Sequence, residues 1–291
     1  MAWKPSEIPD LTGRTFVITG ANGGIGKHTT AALAGKGARV IMACRNTAAA
    51  QQVADGIDGE VTVAALDLAD LSSVREFAEH SGEFDVLINN AGLMNIPFSR
   101  TKDGFETQWG VNHLGHFALT GLLLDRVRDR VVTLASIAHR QTPKLWIDDL
   151  NYEHRRYQRN LAYAQSKLSN LMFARELQRR LTEAGSTKRS YAVHPGVSAT
   201  DLFTRTETLV DKVAKPAIAV IGHSPARAAH SSLFAATMPD ADPNRYWGPT
   251  RLFGSQGPVR VSPSSKLSED RELQRRLWDE SERLTGVHYT F

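Results

Sequence analysis

Tyr163 and Lys167 stand four residues apart, a spacing that puts both side chains on one face of a helix. A free phenol has a pKa of about 10 and is a poor base at neutral pH. A neighbouring ammonium favours the phenolate and lowers that value. Such a pair can hand a proton to a substrate oxygen or take one from it. Ser136 lies upstream at the end of an apolar run, where its hydroxyl can hold the same oxygen beside Tyr163. On its own a tyrosine and a lysine at this spacing are as often a plain helical surface pair. The residues that precede them decide between the two.

Gly20, Gly24 and Gly26, with Asn22 and Ile25 among them, make a glycine-rich turn between an apolar run and a helix. Glycine lets backbone N–H groups come close to phosphate oxygens, and the helix N-terminus adds partial positive charge. The bland alternative is a tight turn with no ligand. The next strand ends Ala43-Cys44-Arg45-Asn46, with no acidic residue. An acid there would bind ribose hydroxyls and repel a 2′-phosphate. Arg45 can instead pair bidentately with a phosphate, Asn46 standing beside it. The expected cofactor is therefore NADP(H), favoured over NAD(H).

These residues need a frame. Arg14–Thr19, Arg39–Cys44, Val61–Leu66, Phe84–Asn89, Val131–Ala135 and Ser190–Val193 read as strands. Helices are expected over Ile25–Gly37, Thr47–Ile57, Leu71–Glu79, Gly104–Val127 and Tyr163–Leu181, with another near Pro225 and a last one over Ser268–Leu284. Strands alternating with helices predict one α/β domain over 1–291, a parallel sheet with helices on both faces. Such sheets bind ligands at the carboxyl ends of their strands. Residues 198–222 are less regular and form a candidate substrate lid. Residues 254–266, rich in Gly, Ser and Pro, read as a loop.

The glycine turn, Asn89-Asn90-Ala91-Gly92, Ser136 and Tyr163-Ala164-Gln165-Ser166-Lys167 occur in that order. The chain thereby resembles the short-chain dehydrogenase/reductase family over nearly its whole length. The resemblance implies a Rossmann-type doubly wound fold and hydride chemistry between a nicotinamide cofactor and a small-molecule carbonyl or alcohol. It implies that Asp67 and Leu68 meet the adenine edge, and that Asn90, Ala91 and Gly92 line the adenine-ribose side. Lys167 would hold the nicotinamide ribose, and Asn112 would support a water-linked proton path to it. Pro195, Gly196 and Val197 would form the turn at the nicotinamide, and Thr200 would bind its carboxamide. Many NADP-dependent members also carry a basic residue inside the glycine turn. Here that stretch is Ala21-Asn22-Gly23, so the preference rests on Arg45.

The segment Leu145-Trp146-Ile147-Asp148-Asp149-Leu150-Asn151 and the text around Tyr163 are similar to one branch of the family. That branch holds retinol dehydrogenases, WW-domain oxidoreductases and protochlorophyllide reductases. It implies a lipophilic aldehyde, ketone or alcohol. Family members often pair through the long helices that carry Asn112 and Tyr163, which implies a homodimer or homotetramer. Two alternatives stand beside this reading: reduction of a carbon–carbon double bond, and a dinucleotide-binding regulator with little turnover.

Composition narrows the classes. The 291 residues are 41% hydrophobic and 23% charged, as expected for a globular domain. The net charge is +4, and the excess sits in mixed helical runs such as Arg175-Glu176-Leu177-Gln178-Arg179-Arg180. That pattern argues for solvated helix faces and against a nucleic-acid stripe. Met1–Thr12 is polar, with Pro5 and Pro9, so neither an export signal nor a membrane anchor is expected. The single cysteine, Cys44, fits a reducing cytoplasm. His113, His116 and His139 have no acidic or cysteine partners in sequence that would complete a metal site, and no metal is expected. Trp109, Phe117 and Phe173 read as core or interface. A Gly-x-Ser-x-Gly nucleophile elbow is absent.

Overall fold

The computed structural model describes residues 3–197 and 224–291. Eight strands form one sheet in the order β3-β2-β1-β4-β5-β6-β7-β8. They are β1 (Thr15–Thr19), β2 (Arg39–Cys44), β3 (Val61–Ala65), β4 (Phe84–Asn89), β5 (Val127–Leu134), β6 (Arg189–Val193), β7 (Tyr246–Arg251) and β8 (Gln256–Val261). All neighbours pair in parallel except β7 and β8, which are antiparallel. The strand order reverses between β1 and β4. The chain leaving β1 packs on one face of the sheet and the chain leaving β4 on the other, which leaves a crevice at their carboxyl ends.

Side chains alternate across the sheet and feed two separate cores. Phe16, Ile18, Val86 and Ile88 pack on one face with α1 (Gly24–Ala34). Val17 and Leu87 pack on the other, with Phe117 and Phe173. Other helices are α2 (Thr47–Ala54) and α3 (Leu71–His80). Next, α4 (Thr107–Trp109) runs through a π-helical turn, Gly110–Leu114, into α5 (Gly115–Leu123). The 25-residue α6 (Arg159–Glu183) crosses beneath β5 and β6. Two short helices, α7 (Pro225–Ala228) and α8 (His230–Thr237), precede β7. The last helix, α9 (Arg271–Thr285), starts at the side-chain cap Asp270 and stops at Gly286 in the left-handed conformation, φ 64°.

Four differences from the expected elements have physical causes. Residues 254–266 are not simply a loop: they contain β8, the edge partner of β7. Gly257 and Pro258 dilute the strand pattern, and an edge position tolerates them. The same dilution, by Gly248 and Pro249, hid β7. The long helix expected over 104–127 begins at Thr107, and β5 starts at Val127 rather than Val131. The polar run Arg128-Asp129-Arg130 masks that strand. Arg130 is buried all the same: it donates to the Ala235 and Met238 carbonyls and pairs with Asp129. The candidate lid at 198–222, with Thr200, lies outside the described residues.

Helix α9 packs on α5 and α6 through Trp278. The Trp278 ring lies 5.1 Å from Phe117, 5.8 Å from Phe173 and 4.4 Å from Tyr289. Arg180 stacks on its outer face at 4.4 Å. Trp278→Ala is expected to cost about 3–5 kcal/mol of folding stability, measured by denaturant unfolding. A loss within experimental error would show that α9 is not part of the core.

Candidate active site

The site is built where β1, β4 and β5 end. Gly20 follows β1 with φ +62°, and a Cβ on it would stand 2.9 Å from the Ala91 Cβ. A Cβ on Gly26 would stand 2.7 Å from both the Ala21 Cα and the Asn90 Nδ2. The glycine turn and the Asn90–Ala91 turn therefore touch, and only bare backbone fits between them. Thr19 and Asn90 lock the contact. Asn90 Nδ2 donates to the Thr19 carbonyl at 2.7 Å, and the N–H groups of Asn90 and Ala91 donate to the Thr19 hydroxyl, each at 2.9 Å. No side chain caps the start of α1, so its first N–H groups remain open to a ligand.

One cleft of about 370 Å³ runs over these turns. Gly20, Asn22, Gly24, Ile25, Gly26, Arg45, Asn46, Asp67, Leu68, Asn90, Ala91 and Gly92 all border it. Gly23, Ala43, Leu66, Leu93, Met94 and Val111 border it too, and sequence reasoning did not single them out for the site. Leu93 and Met94 directly follow the Asn-Asn-Ala-Gly motif, so adjacency alone could have flagged them. Asn46 caps α2 by accepting from the Ala49 N–H at 3.0 Å, which leaves its amide donor free. Asp67 accepts from the Ala69 N–H at 2.9 Å, so it braces its own turn as well as facing the cleft. Arg45 is exposed at the rim and makes no ion pair or hydrogen bond among the described residues. Open helix N–H groups, bare turns and an unengaged guanidinium fit the phosphates of a dinucleotide.

The catalytic candidates gather at the far end. A Cβ on Gly92 would stand 3.2 Å from Asn112 Oδ1 and 3.5 Å from Lys167 Nζ, so the cleft wall abuts both. The Asn112 amide is fully buried. It donates to the Leu93 carbonyl at 2.9 Å and to the Ser166 hydroxyl at 2.8 Å, and it accepts from the Leu93 N–H at 2.7 Å. Lys167 Nζ donates to the Leu134 carbonyl at 3.0 Å and lies 5.9 Å from the centre of the Tyr163 ring. Burial lowers the lysine pKa to about 8. Burial also pushes the Tyr163 phenol up to about 12, only partly offset by its hydrogen bond with Ser136. In the protein alone, desolvation thus outweighs the lowering expected from Lys167, whose ammonium is directed at a carbonyl rather than at the phenol.

Pro195, Gly196 and Val197 follow β6 in an irregular turn. Gly196 has φ +80°, and the Val197 N–H donates to the Ser255 carbonyl at 3.1 Å. The histidines are structural linkers. His139 Nδ1 donates to the Ser136 carbonyl at 2.6 Å, and its Nε2 accepts from the Ser265 N–H at 3.1 Å. His194 pairs with the Ser262 hydroxyl at 2.8 Å, and His113 with the Ser281 hydroxyl at 2.9 Å. Burial holds His113 and His194 down to about 3 and His139 to about 4. Among the described residues no three His, Cys, Asp or Glu side chains group as metal ligands. No described helix is long and apolar enough to cross a membrane.

A family model described as short chain dehydrogenase matches residues 14–148. Retinol dehydrogenase 13 of Homo sapiens is 41% identical over 95% of this chain and 86% of its own length. Retinol dehydrogenase 12 of Mus musculus is also 41% identical, over 96% of this chain and 88% of its own. The crystal structure of an uncharacterized protein from Mycobacterium paratuberculosis is 44% identical, covers 100% of both chains and superposes with a TM-score of 0.87. The parallel sheet reversing at a glycine turn, the buried lysine beside a tyrosine and these similarities agree: the chain belongs to the short-chain dehydrogenase/reductase family.

Proposed function

We propose that this protein is an NADP(H)-dependent oxidoreductase that interconverts a lipophilic carbonyl compound and its alcohol. The observation that carries the reading is the buried ammonium of Lys167, held by the Leu134 carbonyl 5.9 Å from the centre of the Tyr163 ring, with Ser136 acting to lower the phenol's pKa. Ser136 would hold the substrate oxygen, and Tyr163 would pass it a proton during reduction or take one during oxidation. Lys167 would supply positive charge behind the phenol. Asn112 keeps the Leu93 backbone and Ser166 fixed around them. Bound in the cleft, the nicotinamide would supply or accept the hydride.

Finer points are part of the proposal. The NADP preference is supported by Arg45, which makes no ion pair or hydrogen bond among the described residues. The lipophilic substrate is supported by Leu93, Met94 and Val111 on the cleft wall and by the names of the retinol dehydrogenase relatives. The cytoplasmic location rests on the one cysteine, Cys44, which is buried and unpaired. The homodimer or homotetramer implied by the family, paired through the helices that carry Asn112 and Tyr163, is also part of the proposal.

Turnover should be measured with NADPH and NADH against carbonyl compounds ranging from small aromatics to retinal-sized chains. Tyr163→Phe should lower kcat by about 10²–10⁴-fold while NADPH still binds. Arg45→Ala should raise the KM for NADPH by about ten- to a hundredfold and leave NADH nearly unchanged. Equal loss with both cofactors would remove the NADP assignment.

Tyr163 stays protonated through neutral pH, whereas Lys167 loses its ammonium above about 8. The reduction rate should hold level through neutral pH and fall as pH rises past about 8. A rate that climbs in that range would contradict the assigned roles. Sedimentation should return a species heavier than the 32.0 kDa chain, and a single species of 32.0 kDa at working concentration would remove the pairing.

A further inference from the structure

The Thr19 hydroxyl accepts two backbone N–H groups, those of Asn90 and Ala91, so its own proton must find another acceptor. His116 Nε2 lies 2.8 Å away, whereas the Ile88 carbonyl is at the limit of reach, 3.5 Å. The opposite ring nitrogen, His116 Nδ1, lies 3.0 Å from the main-chain oxygen of Asn112. A carbonyl only accepts, so Nδ1 carries the ring proton and Nε2 is left to accept from Thr19. The ring is 1% exposed, and burial is the main reason its pKa falls to about 4, Lys167 adding to the effect. Asn112 sits in the π-helical turn, where the main-chain ladder changes register and a carbonyl benefits from a side-chain donor.

We propose that His116 is a positioning residue of the reaction: one neutral imidazole ties the Asn90–Ala91 turn of the cofactor cleft, through Thr19, to the main chain of Asn112. The Thr19 bond keeps the cleft wall seated on the glycine turn. The Asn112 bond keeps that residue's amide aimed at Leu93 and Ser166, and hence keeps Tyr163 and Lys167 in register with the cleft. The proposal rests on the oxidoreductase reading above.

The two contacts can be separated chemically. His116→Asn places an amide N–H near the Nδ1 position and nothing near Nε2. His116→Gln reaches the Nε2 position with a carbonyl oxygen and leaves Nδ1 empty. His116→Phe removes both.

The experiment measures NADPH Kd by fluorescence, kcat and KM at saturating NADPH, and Tm, for the full-length protein and the three variants. His116→Gln should keep the wild-type Kd and lose kcat by about tenfold, the size expected for one buried hydrogen bond. His116→Asn should show the reverse, with Kd raised by about tenfold and kcat kept. His116→Phe should show both losses. Variants that lower Tm but leave Kd and kcat at wild-type values would overturn the proposal, as would equal losses of both in Asn and Gln. Should none of the three fold, Thr19→Val decides: it must raise Kd by about tenfold, and an unchanged Kd overturns the proposal. If the wild-type protein binds NADPH but turns over no substrate, the oxidoreductase reading fails, and the Kd values of Asn against Gln still decide the role of His116.

Discussion

The site depends on keeping one ammonium inside the protein. Lys167 is 4% exposed, and a buried charge is costly unless it is met by good acceptors. The Leu134 carbonyl at the end of β5 meets it, and the same oxygen takes the Asn170 amide one turn further along α6. Gly92 leaves room for the ammonium by having no side chain. An ammonium has three donors, and the described residues engage one, so capacity remains for whatever enters the cleft. The end of β5, the line of α6 and the turn after β4 are all set by where that charge must sit.

Four neutral imidazole rings are also part of the polar interior. His113, His116, His139 and His194 each bridge two elements, and burial keeps all four uncharged. At His116, His139 and His194, where each ring nitrogen has a partner, a protonated imidazole would lose its acceptor nitrogen and drop one of the two. A neutral one donates on one side and accepts on the other, which suits joining a strand end to a helix. These links leave Lys167 as the dominant positive charge at the catalytic end.

Much of the arrangement could be read from the chain itself, because the cofactor cleft is made of local turns. Residues of the glycine turn, Arg45-Asn46, Asp67-Leu68 and Asn90-Ala91-Gly92 each sit just beyond a strand end, and a parallel sheet brings strand ends together. The apolar runs of β2 and β4 gave their boundaries to the residue. What stayed hidden was whatever depended on distant partners. Arg130 reads as a surface charge until the carbonyls at the end of α8 are seen to receive it. The β7–β8 hairpin is stabilised by pairing at an edge, where Gly and Pro blur any pattern. His116 looks like an ordinary helical histidine, since its partner Thr19 lies nearly a hundred positions away. The phenol is also held protonated more firmly than its spacing to Lys167 suggested, because burial is a property of the fold.

The placement of Trp278 has a further consequence for how the chain is made. A ribosome releases the cofactor turns well before α9. Until α9 arrives, Phe117 and Phe173 lack the ring that covers them, and the nascent domain shows an aromatic surface. Exposed surface of that kind is where aggregation and chaperone capture begin. Synthesis therefore passes through an interval in which the dinucleotide cleft is complete in sequence while the domain is still unsealed on its far side.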